Sequence, residues 1–298
     1  MDRFKDQHFL VTGAGSGIGR AIALRLAREG AAVSLLGRSR EKLDETAILA
    51  IEAGAVLAHG VEADIRDRAA VFAAVAEAAE ALGPLRGVVA NSGAGGPNFP
   101  GDEDRWDEIL TTNLSGTYHT LRAAQRHLAP GPEARHLLVI SSVLGRFGVP
   151  WYTAYCASKT GLLGLVRALA TEVARDNIQV NAICPGWVET EMAWQGIDGM
   201  AAAMGITREE AHRQAMSAVP LGRMSQPNEI AGLAAYLLSP DVYAAMLQRL
   251  SADLRQSIQE GIDSGPAIAA DQVFLELQAR YADVGTEPPA KRRSKRQG

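Results

Sequence analysis

In the stretch YCASK, Tyr155 and Lys159 stand four residues apart, with only small side chains between them. That spacing is about one helical turn, so the two side chains share a face. A lysine ammonium held about 4 Å from a phenol favours the phenolate by roughly 4 kcal/mol at an effective dielectric near 20. This corresponds to about three pKa units, enough to bring a tyrosine from about 10 toward neutral pH. The pair is therefore a candidate acid/base device. The plainer reading is a helix start with an exposed lysine, and the rest of the chain decides between the two.

A second chemical signal lies near the N-terminus. VTGAGSGIGRAIALRLA (11–27) joins an apolar strand to an amphipathic helix through Gly13, Gly15, Ser16, Gly17, Ile18 and Gly19. Glycines there permit a tight turn and let backbone N–H groups approach a pyrophosphate, while the helix N-terminus adds partial positive charge. The next strand ends LLGRSREK. Where an NAD-selective fold carries an acid for the ribose diol, this chain has Gly37 and then Arg38. Glycine cannot bind the diol, and an arginine pairs well with a 2′-phosphate. The expected cofactor is NADP, with NAD possible.

These signals need elements to position them. Apolar runs at 8–13, 31–37, 55–64, 85–91, 136–142 and 178–186 read as buried strands. Helical patterns fill 17–29, 39–53, 66–82, 102–128 and 153–175 between them. This alternation predicts an α/β fold, a Rossmann-like doubly wound parallel sheet of six strands with helices on both faces. Its ligand edge lies at the strand C-termini. After Pro185 a Met-rich, Gly-interrupted stretch reads as a helical lid, with TREE (207–210) as a capping box. A helix from about Pro227 to Leu238 follows.

Bulk properties narrow the function. The chain has 298 residues, 47% of them hydrophobic, enough for one large core. A net charge of −4 gives no basic field for nucleic acid, and no apolar run reaches a membrane span. Nor does the N-terminus read as a secretory signal. Cys156 and Cys184 read as free thiols in a reducing cytoplasm, with no metal site expected.

The pieces together resemble the short-chain dehydrogenase/reductase family. TGAGSGIG (12–19), ANSG (90–93), TTNLSG (111–116), ISS (140–142), YCASK (155–159) and PGWVET (185–190) occur in family order and spacing over residues 5–240. The resemblance implies that Tyr155 is the acid/base on a carbonyl or carbinol oxygen. Lys159 would lower its pKa and hold the nicotinamide ribose. Ser142 would hydrogen-bond the reacting oxygen, with Ser141 a structural neighbour, and Asn113 would hold a water leading from Lys159. It further implies cofactor contacts from Asp64, Ile65, Asn91, Gly93, Pro185, Gly186, Val188 and Thr190. One departure is ANSG, where the family usually reads NNAG.

Leu144, Trp151, Trp187, Met192 and Trp194 flank these motifs and are expected to line an apolar substrate pocket. The resemblance is to β-ketoacyl reductases, polyketide ketoreductases and 3-hydroxyacid dehydrogenases. It implies a small carbonyl or alcohol substrate, a 3-oxoacyl or 3-hydroxyacyl compound being the first expectation, and a homodimer or homotetramer in the cytoplasm. The domain reading is 1–240 for the dehydrogenase, 241–284 for an atypical helical extension and 285–298 for a disordered basic tail. Nothing after Pro240 matches the family's seventh strand, so a helix at about 242–260 is expected to cover the sheet edge. The same stretch resembles the tail of a ParD-type antitoxin. That leaves a second reading, a dinucleotide-binding regulator with a partner-binding tail.

Overall fold

The computed structural model describes residues 2–239 and positions 256, 259 and 260. The missing seventh strand, the edge-covering helix, the antitoxin-like stretch and the basic tail otherwise lie outside the described residues. By internal contacts the chain divides into two units, Met1–Tyr243 and Ala244–Gly298. The first carries everything described below.

Its six strands are β1 (His8–Thr12), β2 (Ala32–Gly37), β3 (Ala58–Glu62), β4 (Gly87–Ala90), β5 (Arg135–Ile140) and β6 (Ile178–Ile183). They form one parallel sheet in the order β3-β2-β1-β4-β5-β6. The order reverses between β1 and β4, which opens a crevice at the C-terminal edge. Each strand matches an apolar run of the sequence, trimmed at the ends.

Alternation along each strand splits the core in two. Phe9, Val11, Val33, Leu35, Leu138 and Ile140 face one side, packed with Ile22, Leu26, Ile230 and Ala234. Those partners belong to α1 (Gly17–Arg28) and to the helix Pro227–Leu237. Leu10, Leu36, Val88, Leu137 and Val139 face the other side, with Val71, Val75, Leu121, Leu162, Val166 and Leu169. Each fully buried side chain of this size contributes about 1.5–3 kcal/mol by leaving water.

Local chemistry fixes the helix ends. In α2 (Arg40–Ala53), Ser39 accepts from the Lys42 N–H, and Gly54 closes the helix at φ 118°. Asp67 accepts from Ala69 and Ala70 at the start of α3 (Arg68–Leu82). The single helix expected over 102–128 is instead three pieces. These are α4 (Trp106–Leu110), a π-helical turn (Thr111–Ser115) and α5 (Gly116–Gln125). The widened turn closes with the Gly116 N–H on the Thr111 carbonyl. A larger residue at Gly116 would force Ile65 to move, because a Cβ there would stand 2.7 Å from its Cδ1 and 3.0 Å from its carbonyl oxygen.

The long α6 (Thr153–Val173) carries Tyr155 and Lys159. The lid is a helical hairpin of α7 (Glu191–Met204) and α8 (Arg208–Ser217), and the expected capping box of Thr207 and Glu210 is present. The helix Pro227–Leu237 is α9. Among the described residues no helix is long and apolar enough to cross a membrane.

Candidate active site

β5 ends at Ile140 and runs into Ser141 and Ser142, both buried. Ser141 Oγ donates to the Lys159 carbonyl at 2.9 Å, tying the strand end to α6. Ser142 Oγ accepts from the Leu144 N–H at 3.1 Å and caps a short 3-10 turn, Val143–Gly145. The Ser142 hydroxyl also acts on the Tyr155 phenol as a hydrogen-bonding neighbour.

Lys159 is buried, and its Nζ donates to the Ile140 carbonyl at 3.0 Å. It lies 5.6 Å from the centre of the Tyr155 ring. Burial pushes the ammonium down to about 8 from its usual 10.5, with the Cys184 thiol opposing. Burial also pushes the Tyr155 phenol up, and the Ser142 hydrogen bond pulls against it. Burial is thus the largest influence on both groups.

Asn113 sits in the π-turn, fully buried. Its Oδ1 accepts from the Ala94 N–H at 2.7 Å, and its Nδ2 donates to the Ala94 carbonyl and to Ser158 Oγ, both at 3.0 Å. Both amide hydrogens are thus taken by protein. Gly93 lies between the members of the group: a Cβ on it would be 3.1 Å from Asn113 Oδ1 and 3.6 Å from Lys159 Nζ.

Residues of the glycine loop fit a dinucleotide pyrophosphate. Gly13 and Gly17 hold φ of 64° and 53°, a conformation that favours glycine. A Cβ on Gly19 would lie 2.2 Å from the Gly13 carbonyl oxygen. The Ser16 side chain makes no cap to α1, so it does not take up the helix's leading N–H groups. Thr190 caps α7, and its Cγ2 would stand 3.2 Å from a Cβ on Gly17, so the loop after β6 meets the glycine loop. In that loop the Pro185 carbonyl accepts from Val143, Val188 is buried and Gly186 has open space.

Three expected cofactor residues have other engagements. The Asn91 amide donates to the Thr12 carbonyl at 3.0 Å and to that of Gly13 at 3.4 Å, so it braces the loop from behind. The Asp64 carboxylate is gripped by Arg66 at 2.6 Å, which holds it below the usual carboxylate range. Ile65 is buried against Gly116. Arg38 is exposed at the end of β2, with no ion-pair partner among the described residues. Its charge helps to lower the Asp64 and Glu108 carboxyls.

The five expected pocket residues divide. Leu144 adjoins Ser142, and Met192 reaches over the β4–α4 loop, its Sδ 2.9 Å from where a Gly95 Cβ would be. Trp151 is exposed at φ 66° and packs on Phe99 at 5.6 Å. Trp187 and Trp194 instead belong to the lid's own small core, with Ile197 and Met216. Trp194 stacks on His212 at 5.2 Å beneath Arg208. The core there is Ala193, Ile197, Ala201, Ala211, Met216 and Met224, and the two partly buried indoles pack against it. A cleft of about 600 Å³ lined by Pro97, Phe99, Pro100 and Arg105 lies in the β4–α4 loop and holds none of the four central residues. Sequence reasoning missed Ser158, Thr12 and Asn98; as single polar residues inside helix, strand and loop they carry no spacing signal.

A parallel sheet with a glycine loop at its switch point, and a Ser–Tyr–Lys–Asn cluster beside it, define a nucleotide-dependent oxidoreductase. The short chain dehydrogenase family model matches residues 7–201, and the chain belongs to that family. It is 34% identical to an acetoacetyl-CoA reductase of Synechocystis, over 79% of this chain and 90% of the relative. It is also 34% identical to 2-(S)-hydroxypropyl-CoM dehydrogenase 3 of Xanthobacter autotrophicus, over 80% and 91% respectively. Among solved structures, a variant of actinorhodin polyketide ketoreductase with NADPH superposes with a TM-score of 0.74 at 36% identity, covering 80% of this chain and 92% of that one.

Proposed function

We propose that this dehydrogenase reduces a ketone to a secondary alcohol with NADPH, NADH being a possible substitute, and that the ketone is a 3-oxoacyl compound. The observation that carries the reading is the half-buried Tyr155 phenol, with Ser142 as its hydrogen-bonding neighbour and Lys159 Nζ 5.6 Å from its ring centre. A phenol that keeps its proton at neutral pH is an acid ready for a carbonyl oxygen. Relatives named for ketoacyl and acetoacetyl-CoA reduction support the substrate class.

The cofactor, when bound, supplies the hydride. Tyr155 gives its phenolic proton to the oxygen of the same carbonyl, so the product is the neutral alcohol. Ser142 Oγ donates a hydrogen bond to that oxygen as negative charge builds on it. Lys159 stabilises the phenolate left behind and is held in place by the Ile140 carbonyl. Asn113 keeps Ala94, and so the loop after β4, beside the group. Gly13, Gly15, Ser16, Gly17, Ile18 and Gly19 would hold the pyrophosphate and Arg38 the 2′-phosphate. Gly93, Pro185, Gly186, Val188 and Thr190 would border the nicotinamide.

We assign this activity to residues 1–240, in a cytoplasmic homodimer or homotetramer. Residues 241–284 would form an extension and 285–298 a basic tail. The test is oxidation of NADPH and NADH against acetoacetyl-CoA and a panel of cyclic and steroid ketones. Turnover of the thioester with NADPH supports the reading; cofactor binding without turnover of any ketone would overturn it.

A further inference from the structure

α6 begins without a cap of its own: Tyr152, at the capping position, makes no side-chain bond to the helix. The missing acceptor comes from far along the chain. Asn98, in the loop between β4 and α4, is 6% exposed. Its Oδ1 accepts from the Ala154 N–H at 2.9 Å and from Thr153 Oγ1 at 3.1 Å. Ala154 is the second residue of α6, the place where a capping side chain normally bonds. Asn98 also donates its backbone N–H to the Trp151 carbonyl at 2.8 Å.

The other side of the amide is used as well. Nδ2 donates to Asp104 Oδ1 at 3.0 Å, and the same oxygen accepts from the Trp106 N–H at the start of α4. One side chain therefore joins the starts of two helices. α6 carries Tyr155 and Lys159 in its first two turns, and α4 leads directly into the π-turn that holds Asn113. Asn113 in turn clamps Ala94, at the opposite end of the same loop.

We propose that Asn98 is a positioning residue for the reaction: it fixes the start of α6, and with it the Tyr155 phenol, relative to the loop running from Ala94 to Asp104. The proposal rests on the reductase reading above. An amide is the side chain this place requires, because it must accept from α6 and donate to a carboxylate at once.

The test uses the full chain and four variants: Asn98→Ala, Asn98→Asp, Asp104→Asn and the double Asn98→Asp/Asp104→Asn. Asn98→Ala is expected to lower kcat for acetoacetyl-CoA about 10- to 100-fold, as a displaced reacting group does. NADPH affinity, read by fluorescence titration, stays within about twofold. Hydrogen exchange in the peptide 152–159, which needs no substrate, becomes faster. Asn98→Asp keeps the acceptor but sets a carboxylate against Asp104, so its kcat also falls. The double variant restores one donor facing one acceptor, but gives up the bond from the Trp106 N–H to the same Asp104 oxygen, and is expected to recover part of that loss. A merely structural role would lower Tm without this reciprocal rescue and without a change in kcat below the transition. Wild-type kcat and exchange in Asn98→Ala overturn the proposal. Should that variant not fold, a double variant no faster than Asn98→Asp overturns it equally. Tyr155→Phe in the same assay separates the two readings. If it retains full activity the reductase reading fails, while the exchange result still judges the role of Asn98 at the start of α6.

Discussion

Lys159 Nζ lies 5.6 Å from the centre of the Tyr155 ring and gives its hydrogen bond to the Ile140 carbonyl. The lysine is thus anchored to the end of β5 while facing the tyrosine. Burial holds its pKa at about 8 and raises that of the phenol. At neutral pH the pair is a proton-bearing phenol beside an ammonium that is costly to keep charged.

That cost gives a stability prediction with a definite sign. Unfolded, Lys159 titrates near 10.5; folded, near 8. Between those values the unfolded chain binds more protons, so the wild type gains stability as pH rises from about 8 to 10.5. Below 8 the full penalty stands, roughly 3 kcal/mol at 1.36 per unit. Lys159→Met removes the penalty but gives up the Ile140 bond, worth about 1 kcal/mol. The variant should be inactive yet more stable than wild type at pH 7, by about 2 kcal/mol. Its advantage should shrink toward pH 10.5. Urea titrations of both proteins from pH 7 to 10.5 check this; a constant difference, or a less stable variant at pH 7, contradicts it.

Tyr155→Phe removes the proton donor and keeps the ring. Turnover should fall by about two or more orders of magnitude, with NADPH affinity within about twofold. In the wild type, ketone reduction should hold up to about pH 8 and decline above it, as Lys159 loses the charge that stabilises the phenolate while the phenol itself keeps its proton. A rate that declines through pH 7 would mean a Tyr155 pKa far lower than its burial implies.

Much of this was legible in the sequence. Six apolar runs became six strands, and the glycine loop fell at the switch point because strand, turn and helix signals there are all local. Tyr155 and Lys159 were legible as a pair through their spacing, and Ser142 through the family resemblance. What stayed hidden depends on contacts across the chain. The π-turn at Thr111–Ser115 and the close approach of Gly116 to Ile65 beside it are not revealed by helical period. Trp187 and Trp194 read as pocket residues by their nearness to the motif, and their packing against the lid's small core depends on contacts between α7 and α8 that spacing does not reveal. The desolvation of Tyr155 and Lys159 likewise lies outside a pairwise Coulomb estimate made from their spacing.

Arg38 makes a prediction about cofactor choice. It is exposed, unpaired among the described residues, and its field reaches Asp64 and Glu108. A bond between a charged donor and a phosphate is worth about 1.5–3 kcal/mol. Arg38→Leu should therefore raise the KM for NADPH about 10- to 100-fold and leave that for NADH nearly unchanged. Adding Gly37→Asp should turn preference toward NADH, since a carboxylate repels the 2′-phosphate and accepts from the diol. A Cβ at Gly37 would lie 3.3 Å from Leu43 Cδ2, so that leucine must shift slightly. A wild type that already prefers NADH would refute the assignment.

The same substitution at two glycines should act with opposite signs. Gly19, in the first turn of α1, has no room: a Cβ would sit 2.2 Å from the Gly13 oxygen and 2.6 Å from Asn91 Nδ2. Neither neighbour can yield, because Gly13 holds φ 64° and the Asn91 amide is bonded to the Thr12 and Gly13 carbonyls. Gly19→Ala must push the glycine loop out of place. NADPH affinity should fall at least about tenfold, and overpacking of this kind costs about 1–3 kcal/mol of stability. Gly199, in the middle of α7, meets nothing within 4 Å and has no positive φ. There alanine only restricts the unfolded chain and improves helix propensity, a gain of about 0.5–1 kcal/mol. Gly199→Ala should raise Tm by about 1–4 °C for a chain of this size. Calorimetry and a cofactor titration on both variants test the pair. Equal affinity in Gly19→Ala and wild type would show that the glycine loop does not hold the pyrophosphate.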